Sequence, residues 1–355
     1  MSTTGATAGG DEAAPAGAPG GRRPRVARGA VGAGDGLLLV DKPQGITSHD
    51  VVSATRRLAA TRRVGHAGTL DPMATGLLIL GVGRATRLLT HLVGADKTYR
   101  ATVRLGQETL TEDAEGGITR AAGCPRAPQG LDEALAALTG RISQIPSAVS
   151  AIKVGGVRSY ARVRQGQQVE LDARPVTIHE LGLLGRPRPA SAPDGTAVVD
   201  LDLHVACSSG TYVRALARDL GARLGCGAHL TALRRTRVGP FDVEEADTLD
   251  ELSTRVEADA ATARPRGLAV LSMSRAARRC FETVELTWDQ ATAAGHGRLL
   301  PDSVLEGARP PARPIASRAA GGQRLVAGFA PDGAVVALLA PKGSRARPLL
   351  VLRPP

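Results

Sequence analysis

GHAGTLDPMATGLLIL, residues 65–80, is the segment of the chain richest in residues that could carry chemistry. A His, three Gly and several small side chains surround one carboxylate, Asp71. Small residues let a backbone or a ligand approach closely, and a carboxylate near a His suits nucleophilic or acid/base chemistry. The order Asp71, Pro72 and an apolar run also predicts a helix that Asp71 caps. Asp71 is therefore a candidate catalytic residue, with a purely structural cap as the alternative.

The segment before it, GLLLVDKPQGITSHD at residues 36–50, predicts a strand, a turn and a helix in succession. Leu37–Val40 is a short apolar run typical of a buried strand, and a Pro and a Gly then turn the chain. Thr47 and Asp50 have the spacing of a capping box, which predicts a helix through Arg57.

Later segments mix both periodicities. TYRATVRL at 98–105 and VVDLDLHV at 198–205 alternate apolar and polar residues, as half-buried strands do. Leu131–Leu138 and Tyr212–Leu224 have apolar residues at helical spacing. This mixture favours one large α/β or α+β catalytic domain.

The chain ends differ from this middle part. The first residues are rich in Gly, Ala and Pro without hydrophobic periodicity, which predicts disorder. Near the other end, apolar runs on either side of Pro331-Asp332-Gly333 predict a β-hairpin. The predicted organisation is a disordered tail (1–34), a catalytic domain (35–250), a linker or helical segment (251–280) and a small β domain (281–355).

Two further segments could carry chemistry. In CSSGTYVRALARDLG, residues 207–221, Tyr212 and Arg214 follow a turn at the start of the predicted helix. An Arg close to a buried carboxylate favours its charged form, although this Arg could instead lie on a solvated helix face. Tyr99, on the first alternating strand, has basic neighbours, and its alternative is an ordinary half-buried strand Tyr.

Composition points to a polyanionic partner. The chain has 45 Lys and Arg against 34 Asp and Glu, with a net charge of +11, and four of the basic residues are Lys. Arg binds phosphate with two hydrogen bonds and stacks on bases, so this balance favours a polyanionic partner, with a compositional bias as the alternative.

Several classes of protein are excluded by what the sequence lacks. No uncharged apolar run approaches the ~18–20 residues of a membrane span, and no secretory signal is visible. The four Cys form no CxxC pair and the seven His have no metal-ligand spacing. The glycines of GVGRAT, residues 81–86, do not form a dinucleotide fingerprint, which argues against a Rossmann-type oxidoreductase. The sequence predicts a cytoplasmic protein with no metal or cofactor.

These segments together resemble the TruB family, the bacterial tRNA pseudouridine(55) synthases. The resemblance covers residues 36–245 in order, and GHAGTLDPMATG is its most specific motif. All three Tyr of the chain, 99, 160 and 212, lie inside the matching segments. The resemblance implies an α+β fold with a mixed, mainly antiparallel central sheet and a C-terminal PUA-like RNA-binding domain.

The resemblance also implies a role for each matching residue in the isomerisation of uridine to pseudouridine. Asp71 would act as nucleophile or base, Arg214 would pair with it, and Tyr99 would stack on the target uracil. The implied substrate-binding residues are His66, which holds the loop around the flipped base, Tyr212 and Leu233 at the nucleotide, Lys42 under the site and Lys153 at a phosphate.

The implied substrate is the T-arm stem-loop of tRNA, bound by a monomer without an obligatory protein partner. Two alternatives stay open: a non-catalytic tRNA-binding or tRNA-folding protein, and a pseudouridine synthase that acts on another RNA or is guided by partner proteins. A guided enzyme should not modify a bare T-arm stem-loop, whereas an unguided one should.

Overall fold

The computed structural model describes residues 24–147, 153–154, 157–158, 171–313, 315 and 323–353. The strands are β1 Gly36–Lys42, β2 Val64–His66, β3 Thr75–Val82, β4 Lys97–Leu105, β5 Gln107–Thr109, β6 Ile118–Ala121, β7 Gly140–Gln144, β8 Lys153–Val154, β9 Val157–Arg158, β10 Arg174–Leu183, β11 Arg188–Ser191, β12 Ala197–Cys207, β13 Ala228–Val238, β14 Phe241–Asp242, β15 Leu271–Ser272, β16 Glu282–Glu285, β17 Leu300–Pro301, β18 Val326–Phe329, β19 Val335–Lys342 and β20 Arg345–Val351. The helices are α1 Ser48–Leu58, α2 Leu89–Leu92, α3 Leu131–Ala137, α4 Val213–Arg223, α5 Leu249–Ala260, α6 Met273–Cys280 and α7 Trp288–Gly295.

A large mixed sheet forms the centre of the molecule. Its strand order is β15-β1-β3-β13-β4-β12-β10-β7, with three short strands paired along its length. The pair β3–β13 is parallel and the other neighbours in this order are antiparallel. The predicted α+β fold with a mixed, mainly antiparallel central sheet is confirmed.

The strands β1 and β3 are buried on both faces. In β1, Leu38 and Val40 pack in one hydrophobic cluster with helices α1, α4 and α5, while Leu37 and Leu39 pack in a second cluster with α6 and C-terminal strands. The strand β3 divides its side chains in the same way. Strands covered on both faces read as continuous apolar runs rather than alternating ones.

The expected helix after Asp71 is wrong for this reason. Residues 71–74 form a turn, and the apolar run TGLLILGV is strand β3. An apolar run of this length does not distinguish a buried strand from a buried helix. The capping box at Thr47 and Asp50 did predict its helix correctly, because both reciprocal hydrogen bonds form at the start of α1.

A second sheet of five strands, in the order β16-β18-β19-β20-β17, forms the C-terminal part. The predicted hairpin is the antiparallel pair β18–β19. Its turn is closed by hydrogen bonds between Ala330 and Ala334, 2.9 Å, and from Gly333 to Ala330, 2.8 Å. Residues of this sheet, among them Phe329 and Leu338, share the second hydrophobic cluster with β1 and β3. The C-terminal sheet is therefore separate in its pairing but continuous with the central sheet in its core.

The segment just before β1 also packs on the fold. Val26 is buried, its carbonyl accepts a 2.6 Å hydrogen bond from Arg57, and Ala27 donates one of 2.8 Å to Ser253. Residues 24–34 of the expected disordered tail therefore lie against α1 and α5, and the rest of that tail is outside the described residues. Among the helices described, none is both long and apolar enough to cross a membrane.

Candidate active site

Asp71 lies in a tightly held loop between β2 and β3. Ser48, the first residue of α1, accepts a 2.9 Å hydrogen bond from the Leu70 amide and donates one of 3.0 Å to the Leu70 carbonyl. The Asp71 carbonyl accepts from the Ala74 amide at 3.1 Å, which closes the turn that leads into β3. The carboxylate stays accessible, because the Asp71 side chain is 37% exposed. The loop thus presents one fixed and accessible carboxylate.

Lys42 supports this loop from below. Its buried ammonium donates to the carbonyls of Ile46 at 2.8 Å, Pro43 at 2.9 Å and Pro72 at 3.3 Å. Burial lowers the pKa of Lys42 to about 8, although the Asp71 charge opposes this shift. The side chain therefore ties the β1–α1 turn to the loop that carries Asp71.

Arg214 is the direct partner of Asp71. Its Nε donates to Oδ2 of Asp71 at 3.0 Å, and its own side chain is only 5% exposed. Its Nη1 donates to the Thr111 carbonyl at 2.8 Å and to Oγ of Ser147 at 3.2 Å, and lies 3.6 Å from Oδ2 of Asp113. The predicted pairing of Arg214 with Asp71 is confirmed as a contact.

The sequence reasoning missed Asp113, which is the second carboxylate at Arg214. Asp113 is buried, accepts a hydrogen bond from the Glu115 amide at 3.1 Å, and lies in the turn between β5 and β6. Burial raises the pKa of the neighbouring Glu115, and the Asp113 and Asp71 charges raise it further. An acid-rich turn gives no periodic signal, so its role became visible only when the fold placed it against Arg214.

Tyr99 lies in the core of the site on β4. It is 8% exposed, and burial raises the pKa of its phenol to about 12, which keeps the hydroxyl protonated at neutral pH. Its β13 partner in register is Arg235, which is 1% exposed and donates to the Leu77 carbonyl at 2.8 Å and the Gly68 carbonyl at 3.2 Å. Arg235 was also missed; it lies two residues after Leu233, on the same buried face of β13.

His66 ends β2 beside the Asp71 loop. Its ring makes an edge-to-face contact with His49, with 5.8 Å between centroids. Burial lowers the pKa of His66, and the positive groups His49 and Arg235 lower it further. A neutral imidazole is therefore favoured, a form that can stack or form hydrogen bonds without adding charge to the site.

The remaining predicted site residues are placed as follows. Tyr212 is the N-cap of α4. Its amide donates to Oε1 of Gln144 at 2.9 Å, and its carbonyl accepts from Nε2 of the same side chain at 3.2 Å. Leu233 is buried on β13 opposite Ala101. Lys153 lies in β8, but its side chain is outside the described residues, as is all of Tyr160. No His, Cys, Asp and Glu cluster suited to a metal ion occurs within the described ranges.

The site therefore combines an accessible carboxylate, a buried guanidinium that fixes it and a buried phenol on β4 of the same central sheet. Asp71, Arg214 and Tyr99 come from three distant segments. The strand pairs β3–β13 and β13–β4 bring the Asp71 loop, which leads into β3, near Tyr99 on β4. Arg214 reaches the site from α4, the helix that precedes β13. Such an arrangement can present a charged oxygen to a planar substrate held against an aromatic ring.

Comparison with known proteins agrees with this geometry. Residues 56–213 match the N-terminal domain of the TruB family of pseudouridylate synthases, residues 214–273 match a C-terminal domain of tRNA pseudouridylate synthase B, and residues 281–353 match the C-terminal region of tRNA pseudouridine synthase II.

Whole-chain relatives cover most of the molecule. The tRNA pseudouridine synthase B of Arthrobacter sp. (strain FB24) is 53% identical over 321 residues, which is 90% of this chain and 97% of the relative. That of Paenarthrobacter aurescens (strain TC1) is 53% identical over 331 residues, 90% of this chain and 95% of the relative. A solved structure of a Cbf5-Nop10-Gar1 complex has a chain 25% identical, with a TM-score of 0.62, covering 90% of this chain and 85% of that one. The chain belongs to the TruB family of pseudouridylate synthases.

Proposed function

We propose that this protein converts uridine to pseudouridine at position 55 in the T-arm of tRNAs. The observation that carries the proposal is the 3.0 Å contact between the accessible Asp71 carboxylate and the buried Arg214, close enough to the buried Tyr99 for the Asp71 charge to act on its phenol. The names of the relatives, tRNA pseudouridine synthase B, support tRNA as the substrate.

The reaction breaks the bond between N1 of uracil and C1′ of ribose, turns the base, and joins C5 to C1′. The proton on C5 leaves, and N1 gains a proton, so no group or electron pair is gained or lost and no cofactor is needed. Asp71 acts as the nucleophile or base at the ribose or the uracil, and Arg214 holds its charged form in place. Tyr99 stacks on the target base and assists the loss of the C5 proton.

Reaching C1′ requires the base to leave its stack in the tRNA elbow, which costs a few kcal/mol. His66 holds the loop while the base is out, and Tyr212 and the backbone at Leu233 contact the flipped nucleotide. Lys42 supports the catalytic loop from below, and Lys153 contacts a phosphate. The net charge of +11 supplies the attraction to the RNA backbone.

The protein acts as a monomer in the cytoplasm, on tRNA alone. The Cbf5 chain of the solved complex is bound to other proteins, but we propose that this chain needs no guide or obligatory protein partner. The small C-terminal sheet is the expected RNA-binding domain.

The deciding experiment measures tritium release from a tRNA transcript that carries C5-tritiated uridine. Wild-type protein should release tritium and Asp71→Asn should not. A tRNA transcript with cytidine at position 55 should release one equivalent of tritium per tRNA less than the transcript with uridine there. The bare T-arm stem-loop should also be a substrate.

Other results would replace the proposal with one of its alternatives. Binding of folded tRNA without any release by the wild type would favour a binding or folding protein. Release from tRNA that persists unchanged in the position-55 variant would place the modified uridine elsewhere. Activity on tRNA that requires an added protein would favour a guided enzyme.

A further inference from the structure

Helix α4 presents two arginines to the same loop. Arg214 and Arg218 are four residues apart and therefore lie on one face of the helix. Arg214 holds the Thr111 carbonyl and Asp71, whereas Arg218 contacts the residue between Thr111 and Asp113. The second arginine has no part in the chemistry proposed above.

All three nitrogens of the Arg218 guanidinium donate hydrogen bonds. Nη1 donates to Oε1 of Glu112 at 2.7 Å, Nη2 to the Ile145 carbonyl at 2.8 Å, and Nε to Oδ1 of Asp219 at 2.9 Å. Ile145 lies two residues before Ser147, which is itself a partner of Arg214. Arg218 therefore joins α4 to both segments that hold Arg214.

Glu112 has an unusual backbone. Its φ is +61°, in the left-handed region that a residue with a side chain seldom adopts, and this costs about 1–2 kcal/mol. Its carboxylate is 14% exposed, and Oε2 is buried without a hydrogen bond in the described part of the chain. The main chain is fixed as well, because the Glu112 carbonyl accepts from the Leu230 amide at 3.0 Å. A strained turn of this kind persists where surrounding contacts hold it.

We propose that Glu112 and Arg218 are positioning residues, and that their ion pair holds the β5–β6 turn so that Thr111 and Asp113 keep Arg214 aimed at Asp71. This inference rests on the proposed function. If the ion pair is lost, the left-handed turn relaxes, the Thr111 carbonyl and the Asp113 carboxylate move, and Arg214 loses partners on one side. The chemical step then slows, while the RNA-binding surface is unchanged.

The test uses single-turnover rate constants at saturating tRNA together with dissociation constants. Arg218→Ala should slow the chemical step by roughly 10- to 100-fold, because small misplacements of a reacting group cost this much. The dissociation constant should stay within about twofold of the control. That control is Arg223→Ala, which removes the same charge from an exposed position on the same helix.

A second variant changes Glu112, the acidic member of the ion pair. Glu112→Gln keeps the shape but removes the charge, so it should slow the same step, and adding it to Arg218→Ala should produce no further loss. Arg218→Lys should recover part of the rate, since an ammonium can still reach Glu112. If Arg218 acted only on folding, Arg218→Ala would lower the melting temperature, but the folded fraction would react at the wild-type rate. Arg218→Lys would then have no lost rate to recover.

Hydrogen–deuterium exchange gives a readout that does not depend on the reaction. Arg218→Ala, but not Arg223→Ala, should speed exchange across residues 107–121. Unchanged exchange, rates equal to those of Arg223→Ala, or a weaker affinity with a normal rate would each overturn the positioning role. An inactive wild type would refute the proposed function, and the exchange data would still decide whether the ion pair holds the turn.

Discussion

At the scale of single residues, the site depends on one carboxylate whose surroundings are built to hold it. Lys42 and Ser48 fix the loop of Asp71, and Arg214 fixes the side chain. Because these neighbours hold the loop and orient the side chain, the Asp71 carboxylate is not needed to stabilise the loop. This division of tasks leads to two predictions.

Asp71→Asn should abolish turnover while leaving tRNA affinity within severalfold of wild type, because the amide keeps the shape and accepts from Arg214 but lacks the charge. Tritium release and filter binding on the same preparation measure the two quantities. A large loss of affinity would instead assign Asp71 a mainly structural role.

Tyr99→Phe should bind tRNA and flip the base but react slowly, by roughly 10²- to 10⁴-fold if the hydroxyl takes part in proton transfer. The ring, and with it the stacking surface, is kept. Fluorescence of a 2-aminopurine next to the target would report flipping, and tritium release would report turnover. A wild-type rate would refute a role for the hydroxyl.

At the scale of elements, alternation predicted strands well where one face of the sheet is covered by apolar residues. Residues 98–105 and 198–205 lie in β4 and β12 as expected. The prediction failed at residues 75–82, because β3 is covered on both faces and carries no alternation. Asp113 and Arg235 escaped notice because their partners are distant in sequence, and only the sheet order brings them together.

The contact between β3 and β13 depends on a glycine. Gly76 has a φ of +101°, and a Cβ there would lie 2.3 Å from the Arg235 carbonyl oxygen. Gly76→Ala should therefore lower the free energy of unfolding by about 3–5 kcal/mol, from backbone strain and from the clash. Urea unfolding measures this loss.

Gly140→Ala is the matched control, because Gly140 has a φ of +89° but open space where a Cβ would stand. It should lose only the backbone part, about 1–2 kcal/mol. Equal losses in the two variants would show that the close approach of β13 contributes nothing.

At the scale of the whole molecule, buried lysines make stability depend on pH. Burial, together with the charge of the nearby Arg235, lowers the pKa of Lys97 from 10.5 to about 8. Between these two values the unfolded chain holds a proton that the folded chain has released, so the Lys97 contribution to stability rises with pH in this window. Below about pH 8 the cost of burying the charge is fully present.

The stability of wild type relative to Lys97→Met should therefore increase by about 1–3 kcal/mol between pH 8 and pH 10.5. Urea unfolding across this range measures it, with the exposed Lys342→Met as the reference substitution. If the difference stays constant or falls with pH, the folded protein does not lower the pKa of Lys97.

The burial of β1 and β3 on both faces also limits how this chain can be divided. Leu37, Leu39, Leu77 and Ile79 share the second hydrophobic cluster with α6 and with strands of the C-terminal sheet. A fragment that stops before residue 273 would therefore expose apolar surface that the complete chain buries on this face of the central sheet. Such a fragment would be prone to aggregate and to recruit chaperones. A nascent chain exposes the same surface during translation, because the second hydrophobic cluster includes residues as late as Leu352 and is complete only when these have been synthesised.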